Sequence, residues 1–353
     1  MKRTAAFLAL LWLLLAAPAV QASYDPLGGG VTRLVLDKRF AAFLDRAGVR
    51  VSTAAGATKQ GRALVFPVSG GNLDPTVGAG EIDQRGSLSL RGPRGRVQLR
   101  KLVVKTTHAP LVAKVGGSQL KIATTAVIDS SRQGFGVGFS AKRLLLTEKV
   151  ATRLNKKLRP RQPFSSGQLI GALVSKAQPL LTAIVPVGRA TLVFDSAFVA
   201  KLDQHFVSLN PIFPAEHQGS TFTLPIISGG ALAPDGSLGT LRTGGEIEFL
   251  QLGAGQVFWH ELWFDVAART ALAEVDLEPT PAFPGKLGQI PVLTSGPATV
   301  TSNPGARTIG FSGSSLTLTG QTADAFNAAF AEGNDAFSAG ELAGVLSFTA
   351  QGQ

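Results

Sequence analysis

The sequence of 353 residues contains no cysteine. Without thiols the chain can form no disulfide bond, carry no lipid-modified cysteine and build no thiolate metal site. Its stability must therefore come from hydrophobic cores, and the length leaves room for two domains of ordinary size.

The side chains that most often carry chemistry are also scarce, with one tyrosine and four histidines. The histidines are dispersed, and His260-Glu261 has no second histidine four residues later, which excludes the zinc-protease motif. No nucleophile elbow, phosphate-binding loop or EF-hand pattern occurs either. The sequence therefore predicts a protein that is not an enzyme.

Long apolar runs are confined to the N-terminus. Met1-Lys2-Arg3 precedes an apolar run from Ala5 to Ala17, and small residues follow up to Ala22. This order is typical of a secretory signal, whereas a membrane span needs about 20 apolar residues. We expect residues 1–22 to be a cleaved signal peptide and the mature chain to be secreted or held at a bacterial cell surface, without a transmembrane segment.

Two segments of the remaining chain are copies of each other. Residues 64–90 and 222–249 each contain an apolar run ended by proline, a Gly-Gly turn, a loop rich in glycine, aspartate and proline, and a further strand-like run. The repeat predicts a duplication. We expect a flexible lead over residues 23–31, a first domain over 32–178, a connector over 179–189 and a second domain over 190–353.

Helical periodicity is rare in both copies, and the strand-like runs between turn signals are short. Asp37 and Asp195 precede the first helical pattern of each copy as N-caps. The patterns predict four helices, near residues 38–46, 147–158, 196–204 and 322–330. The expected fold is mainly β, with two tandem antiparallel β-sandwich-like domains that carry two short helices each.

Charge is divided unevenly between the copies. Residues 23–189 contain 27 Lys/Arg and 8 Asp/Glu, a net charge of +19, whereas residues 190–353 contain 5 and 15, a net charge of −10. A solvated basic face would explain any single cluster, but the contrast also favours an anionic envelope partner or head-to-tail self-association. Nucleic acid is not expected, because no aromatic residues interleave the basic clusters. The predicted anion-binding residues are Arg91, Arg94, Arg96, Arg100, Lys101, Lys156, Lys157, Arg159 and Arg161.

The order of these signals resembles the HtaA-type domain of secreted and surface bacterial haem-uptake proteins. The resemblance rests on Phe66-Pro-Val-Ser-Gly-Gly71, Gly86-Ser-Leu-Ser-Leu90 and the closing Phe164-Ser-Ser-Gly167, and both copies share it. It implies β-rich domains, export and haem binding for iron acquisition. It also implies a tyrosine iron ligand on the first short helix, supported by a histidine on a later strand.

The ligand positions depart from that pattern. The helix positions hold Phe43 and Lys201, and the single tyrosine, Tyr24, lies in the lead. If haem binds, His108 and His260 are the replacement ligands that the sequence offers. Two functions therefore stay open: a binding protein related to haem and iron acquisition, and a structural or adhesive envelope protein that binds anionic surface polymers without haem coordination.

Overall fold

The computed structural model describes residues 24–107, 111–115, 117–125, 127–278, 285–331 and 334–353. The predicted signal peptide, residues 1–22, and the candidate ligand His108 lie outside these ranges. Over the described residues the chain is mainly β and antiparallel, with two short helices in each half, which confirms the predicted fold class.

The first half of the chain forms a sheet of 12 strands. Helix α1 (Lys38–Arg46) follows the first strand, and helix α2 (Glu148–Leu158) precedes the last. The strands are β1 (Asp25–Leu36), β2 (Arg50–Ala54), β3 (Thr58–Gln60), β4 (Ala63–Leu73), β5 (Gly80–Gln84), β6 (Ser87–Gly92), β7 (Gly95–Lys105), β8 (Leu111–Val115), β9 (Ser118–Thr124), β10 (Val127–Gln133), β11 (Gly136–Leu146) and β12 (Leu169–Pro179).

The second half forms a separate sheet of 14 strands. Helices α3 (Ser196–Gln204) and α4 (Gly320–Phe330) occupy the same places in the strand order as α1 and α2. The strands are β13 (Thr182–Ala183), β14 (Arg189–Phe194), β15 (Val207–Ile212), β16 (Glu216–Gln218), β17 (Thr221–Pro225), β18 (Ala231–Leu232), β19 (Gly239–Arg242), β20 (Glu246–Gln251), β21 (Gly255–Asp265), β22 (Thr270–Leu277), β23 (Lys286–Ser295), β24 (Thr299–Asn303), β25 (Thr308–Leu318) and β26 (Leu342–Gln351).

Each sheet closes on itself. In the first half the order β7-β5-β4-β1-β12-β11-β9-β8 returns to its start because β8 also pairs with β7. In the second half, the corresponding order is β19-β21-β22-β23-β25-β26-β14-β17. An isolated β-bridge between Ile226, which follows β17, and Thr243, which follows β19, joins its two ends. The two faces of each sandwich-like unit are thus parts of one hydrogen-bonded ring.

The duplication extends to individual backbone positions. Gly80 pairs with Leu73 as Gly239 pairs with Leu232. Both glycines have positive φ angles, +143° and +108°, and a Cβ at either would overlap a carbonyl oxygen of the neighbouring strand. Since only glycine fits such a position, backbone geometry explains these two glycines of the repeated motif.

The helices are those that the sequence predicts. Asp37 Oδ1 accepts hydrogen bonds from the amides of Arg39 (2.8 Å) and Phe40 (3.3 Å), and Asp195 Oδ1 accepts one from Ala197 (2.9 Å). Capping of these otherwise unpaired amides fixes where α1 and α3 begin. Helix α2 begins one residue later than expected and α4 two residues earlier.

Each ring encloses its own hydrophobic core. Among the described residues, one crosses over: Phe135, in the turn between β10 and β11, is buried in the core of the second half. It lies against Gly352, at the end of the second half, and the neighbouring Gly134 lies against Pro304. The turn of one half therefore completes the core of the other.

The lead and the connector differ from expectation. Residues 25–31 belong to β1, where Val31 pairs with Lys176 on one side and Pro67 on the other. Two-sided pairing orders a segment whose three glycines suggest flexibility. Within the connector, Thr182–Ala183 forms β13 and pairs with β18, so part of it belongs to the second sheet.

Candidate functional site

The turn between β6 and β7 packs against the C-terminal end of α2. Gly92 and Gly95 permit this contact, because a Cβ at either position would overlap the carbonyl oxygen of Leu158 or Lys157. The Arg94 amide also donates a hydrogen bond to the Leu158 carbonyl at 3.3 Å. The two basic clusters of the sequence, residues 91–101 and 156–161, consequently meet in space.

A surface groove of about 540 Å³ lies where β7, the β8–β9 turn and α2 meet. Its walls carry six cationic side chains together with Val97, Gln98 and Val115. We call this site the basic groove; its cations are Arg96, Arg100, Lys101, Lys114, Arg153 and Lys157.

Hydrogen bonds to neutral side chains orient two of these cations. Arg96 Nε donates to Ser89 Oγ, and Arg100 Nη2 donates to Gln98 Oε1, each at 2.7 Å. Among the described residues, no ion pair joins Arg96, Arg100, Lys101, Lys114 or Lys157 to a carboxylate. Their positive charge is therefore available to a ligand.

The other predicted cations lie around the groove. Arg91 and Arg94 line an adjoining depression that shares Arg96 with it. Lys156, Arg159 and Arg161 are exposed but line neither site. The structure thus gathers Arg96, Arg100, Lys101 and Lys157 from the predicted set and leaves the remaining five at the periphery.

Lys114 and Arg153 were not predicted. Lys114 pairs with Arg100 across the β7–β8 ladder, a relationship that becomes visible only with the strand register. Arg153 lies four residues before Lys157 on α2, so the helical period could have indicated a shared face.

The second half carries an acidic surface at the corresponding positions. In the strand ladders, Arg100 lies opposite Ser87 on one side and Lys114 on the other. The equivalent residue, His260, lies opposite Glu246 and Glu274. Two residues earlier on the same strand, Phe258 lies opposite two further carboxylates, Glu248 and Asp276. We call this surface the acidic face; its carboxylates are Glu246, Glu248, Glu274 and Asp276.

One lysine reaches the acidic face. Lys286 forms an ion pair with Glu274, and its Nζ lies 3.7 Å from Asp276 Oδ1. Its hydrogen bond and charge hold the pKa of Glu274 below its usual range, and Glu274 in turn raises the pKa of Lys286. Four carboxylates against one lysine leave the face negatively charged.

His260 lies in the middle of the acidic face and faces carboxylates at both ring nitrogens. Nδ1 is 3.0 Å from Glu246 Oε1, and Nε2 is 3.3 Å from Asp276 Oδ2. The ring also stacks on Phe258, with centroids 5.6 Å apart. The imidazole ring therefore lies between two carboxylates.

The two helix positions offer no free iron ligand. Phe43 is buried and packs edge-on against Phe164, with ring centroids 5.2 Å apart. Lys201 Nζ lies 2.6 Å from Glu341 Oε1 and donates to the Ala336 carbonyl at 3.2 Å. A hydrocarbon ring and a paired ammonium do not fit the role of a haem axial ligand.

In the part of the chain that the structure describes, no group of three or more His, Asp or Glu side chains is arranged to hold a metal ion. None of the described helices combines the length and hydropathy that a bilayer crossing requires.

Comparison with known proteins gives structural neighbours only. No family model matches the sequence, and no curated protein is significantly similar to it. The C-terminal and N-terminal domains of HtaA from Corynebacterium glutamicum each share 16% identity and a TM-score of 0.37 with this chain. Each match covers 48% of this chain, and 98% and 99% of the two domains respectively. A domain-swapped dimer of a C-terminal domain variant matches at 16% identity and a TM-score of 0.34.

Proposed function

We propose that this chain is a non-enzymatic exported protein, secreted or held at the cell surface, whose basic groove binds an anionic polymer of the cell envelope. The observation that carries the proposal is the groove itself, where six cations converge. Five of them have no carboxylate partner among the described residues. Like charges gathered at one surface raise the local potential and attract a polyanion.

The shape of the site favours an extended polymer over a compact ligand. The basic groove continues into the depression lined by Arg91 and Arg94, and Arg96 belongs to both. A chain with regularly spaced phosphates, such as a teichoic acid, could contact both sites at once. Binding of this kind needs neither a metal nor a catalytic group.

The test is binding of fluorescently labelled poly(glycerol phosphate), followed by anisotropy. Lys114→Glu places a negative charge in the groove, and we expect affinity to fall about tenfold or more because like-charge contacts cost several kcal/mol. Lys176→Glu is the matched control. Lys176 is also an exposed strand residue, but β12 lies on the opposite side of the ring from β7 and β8.

Salt provides a second measurement on the unchanged protein. The Debye length falls from about 10 Å at 0.1 M to about 3 Å at 1 M, so the polymer should be released at high salt. Equal loss in both variants would show that only net charge matters, and salt-insensitive binding would overturn the proposal. Preference for phosphatidylglycerol vesicles over the polymer would assign the groove to a lipid surface instead.

Haem is the other ligand class that the resemblance implies. No observation at the three described candidate positions favours haem. Phe43 is buried in the hydrophobic core, and Lys201 and His260 lie against carboxylates. The acidic face around His260 would also repel the propionates of haem. The proposal therefore rests on the basic groove and includes no haem coordination.

A further inference from the structure

The basic groove and the acidic face occupy the same place in the two copies of the fold. Arg100 and His260 hold equivalent positions, as their ladder partners show: Ser87 and Lys114 for one, Glu246 and Glu274 for the other. The next residues, Lys101 and Glu261, also correspond. Both have left-handed backbones, with φ +49° and +40°, and both lie at a break in the register of their strand.

Charge is reversed at two of these three shared positions. Lys101 and Lys114 in the first half correspond to Glu261 and Glu274 in the second, whereas Arg100 corresponds to His260. Glu261 is ion-paired with Arg242, so the negative charge of the acidic face comes from its four named carboxylates. Because the strand register is the same at both sites, the cations and the carboxylates lie at matching positions of their ladders. Opposite charges on two exposed surfaces favour their association.

The two surfaces do not neutralise each other within one molecule. Every ion pair found among the described residues joins two residues of the same half. Arg100 and Glu274 are both exposed. A second copy of the chain can therefore reach each of them.

We propose that the basic groove of one copy docks on the acidic face of another, so that copies associate head to tail. This partner rests on the proposed function, since it takes the groove as an anion-binding site. The contact is heterologous: each copy keeps one unused groove and one unused acidic face, and the assembly can continue beyond a dimer. A copy whose groove holds envelope polymer would still present its acidic face to the next copy.

The test uses the chain without residues 1–22 in sedimentation velocity at low salt. The groove variant Arg100→Glu/Lys114→Glu and the face variant Glu248→Lys/Glu274→Lys should each be monomeric under conditions where the unchanged chain forms oligomers. Asp324→Lys/Asp203→Lys changes the net charge of the second half equally at exposed positions on the two helices, and oligomers should persist.

Mixing the two monomeric variants gives the sharpest outcome. The groove variant retains an acidic face and the face variant retains a groove, so one contact can form. The mixture should yield one-to-one dimers and nothing larger, and these should dissociate in 1 M salt. A mixture that stays monomeric, or variants that associate like the unchanged chain, would overturn the inference.

Polymer binding separates this inference from the proposed function. The face variant should bind poly(glycerol phosphate) like the unchanged chain, whereas the groove variant should not. If the groove variant loses polymer binding but still forms oligomers, the self-association inference fails and the proposed function stands. If polymer binding is unaffected while oligomers are lost, the polymer is not the ligand of the groove and the proposed function fails in that respect, whereas the groove still binds the carboxylates of a second copy.

Discussion

Asn155 binds the backbone of Phe164 through both ends of its side-chain amide. Its Nδ2 donates to the Phe164 carbonyl and its Oδ1 accepts from the Phe164 amide, each at 2.8 Å. Asn327 makes the same two bonds to Phe337, at 2.9 and 2.7 Å. In both halves, the second helix is thus tied to the segment that leads into the last strand.

Replacing either asparagine should destabilise its half. Asn327→Ala leaves the amide and carbonyl of buried Phe337 without partners, and we expect a loss of about 1–3 kcal/mol in the free energy of unfolding. Urea denaturation measures this value. Asn334→Ala, which removes a single bond to the Ala331 carbonyl, is the milder control. Equal effects from the two substitutions would contradict the assigned role.

Asp25 should make stability depend on pH. Burial raises its pKa, although a 3.2 Å hydrogen bond from the Ala183 amide and the charge of Arg132 act in the opposite direction. The folded state therefore binds this proton more tightly than the unfolded state. Stability is highest below the unfolded pKa and falls as pH rises through the folded pKa.

Asp25→Asn replaces the titrating carboxyl group by a neutral amide and keeps a side-chain oxygen that can accept the hydrogen bond from the Ala183 amide. We expect the variant to have a higher Tm than the unchanged chain at pH 7 and little difference at pH 4. Asp129→Asn, at an exposed carboxylate paired with Lys142, is the control. A constant Tm difference across this range would rule out titration of Asp25 as the cause.

Phe206 should be replaceable with a gain in stability. It is 83% exposed and has φ +55°, whereas the equivalent residue of the first half, Gly48, has φ +66°. A side chain in this conformation costs energy that glycine avoids, partly offset by the greater freedom of glycine in the unfolded chain. Phe206→Gly should therefore stabilise the fold by about 0.5–1 kcal/mol in urea denaturation. A loss of stability would indicate that the exposed ring makes a contact in solution.

Haem titration tests the departure from the HtaA-like ligand pattern. The single tyrosine, Tyr24, is 52% exposed at the start of the described residues, away from the helix positions. We expect no tight one-to-one complex with a tyrosinate-type Soret spectrum. Such a complex, undiminished when His108 and His260 are replaced by alanine, would show the interpretation of the ligand positions to be wrong; its loss in Tyr24→Phe would assign the iron to that residue.

Local signals explain why the helices could be predicted. Asp37 and Asp195 cap helices whose buried faces follow directly from the spacing of Phe40 and Leu44 or of Phe198 and Leu202. The mainly β fold follows similarly from short runs and turn residues. Strand pairing is not local, and so the ordering of residues 25–31 between β4 and β12 escaped prediction.

The candidate site was predictable in part for the same reason. Cations that are close in sequence, such as Arg96 and Arg100, stood out as a cluster. Lys114 joins them through a ladder pair, and the correspondence of Arg100 with His260 depends on the register of two ladders. A linear sequence gives net charge for each copy but not the positions where the charge reverses.

The second core should depend on the first half through Phe135. Phe135→Ala removes a large buried ring from that core and should lower the free energy of unfolding by about 3 kcal/mol. Because the ring comes from the other half, we expect the unchanged chain to unfold in one transition and the variant in two. Scanning calorimetry would show this, and an unaltered single transition would contradict it.

The position of Phe135 also constrains the order of folding. Synthesis delivers this residue long before Gly352, the residue against which it lies. While the chain is still being made, the ring has no core to enter and stays in contact with water. Docking of the two halves must therefore wait for β26, which makes it a late event in folding.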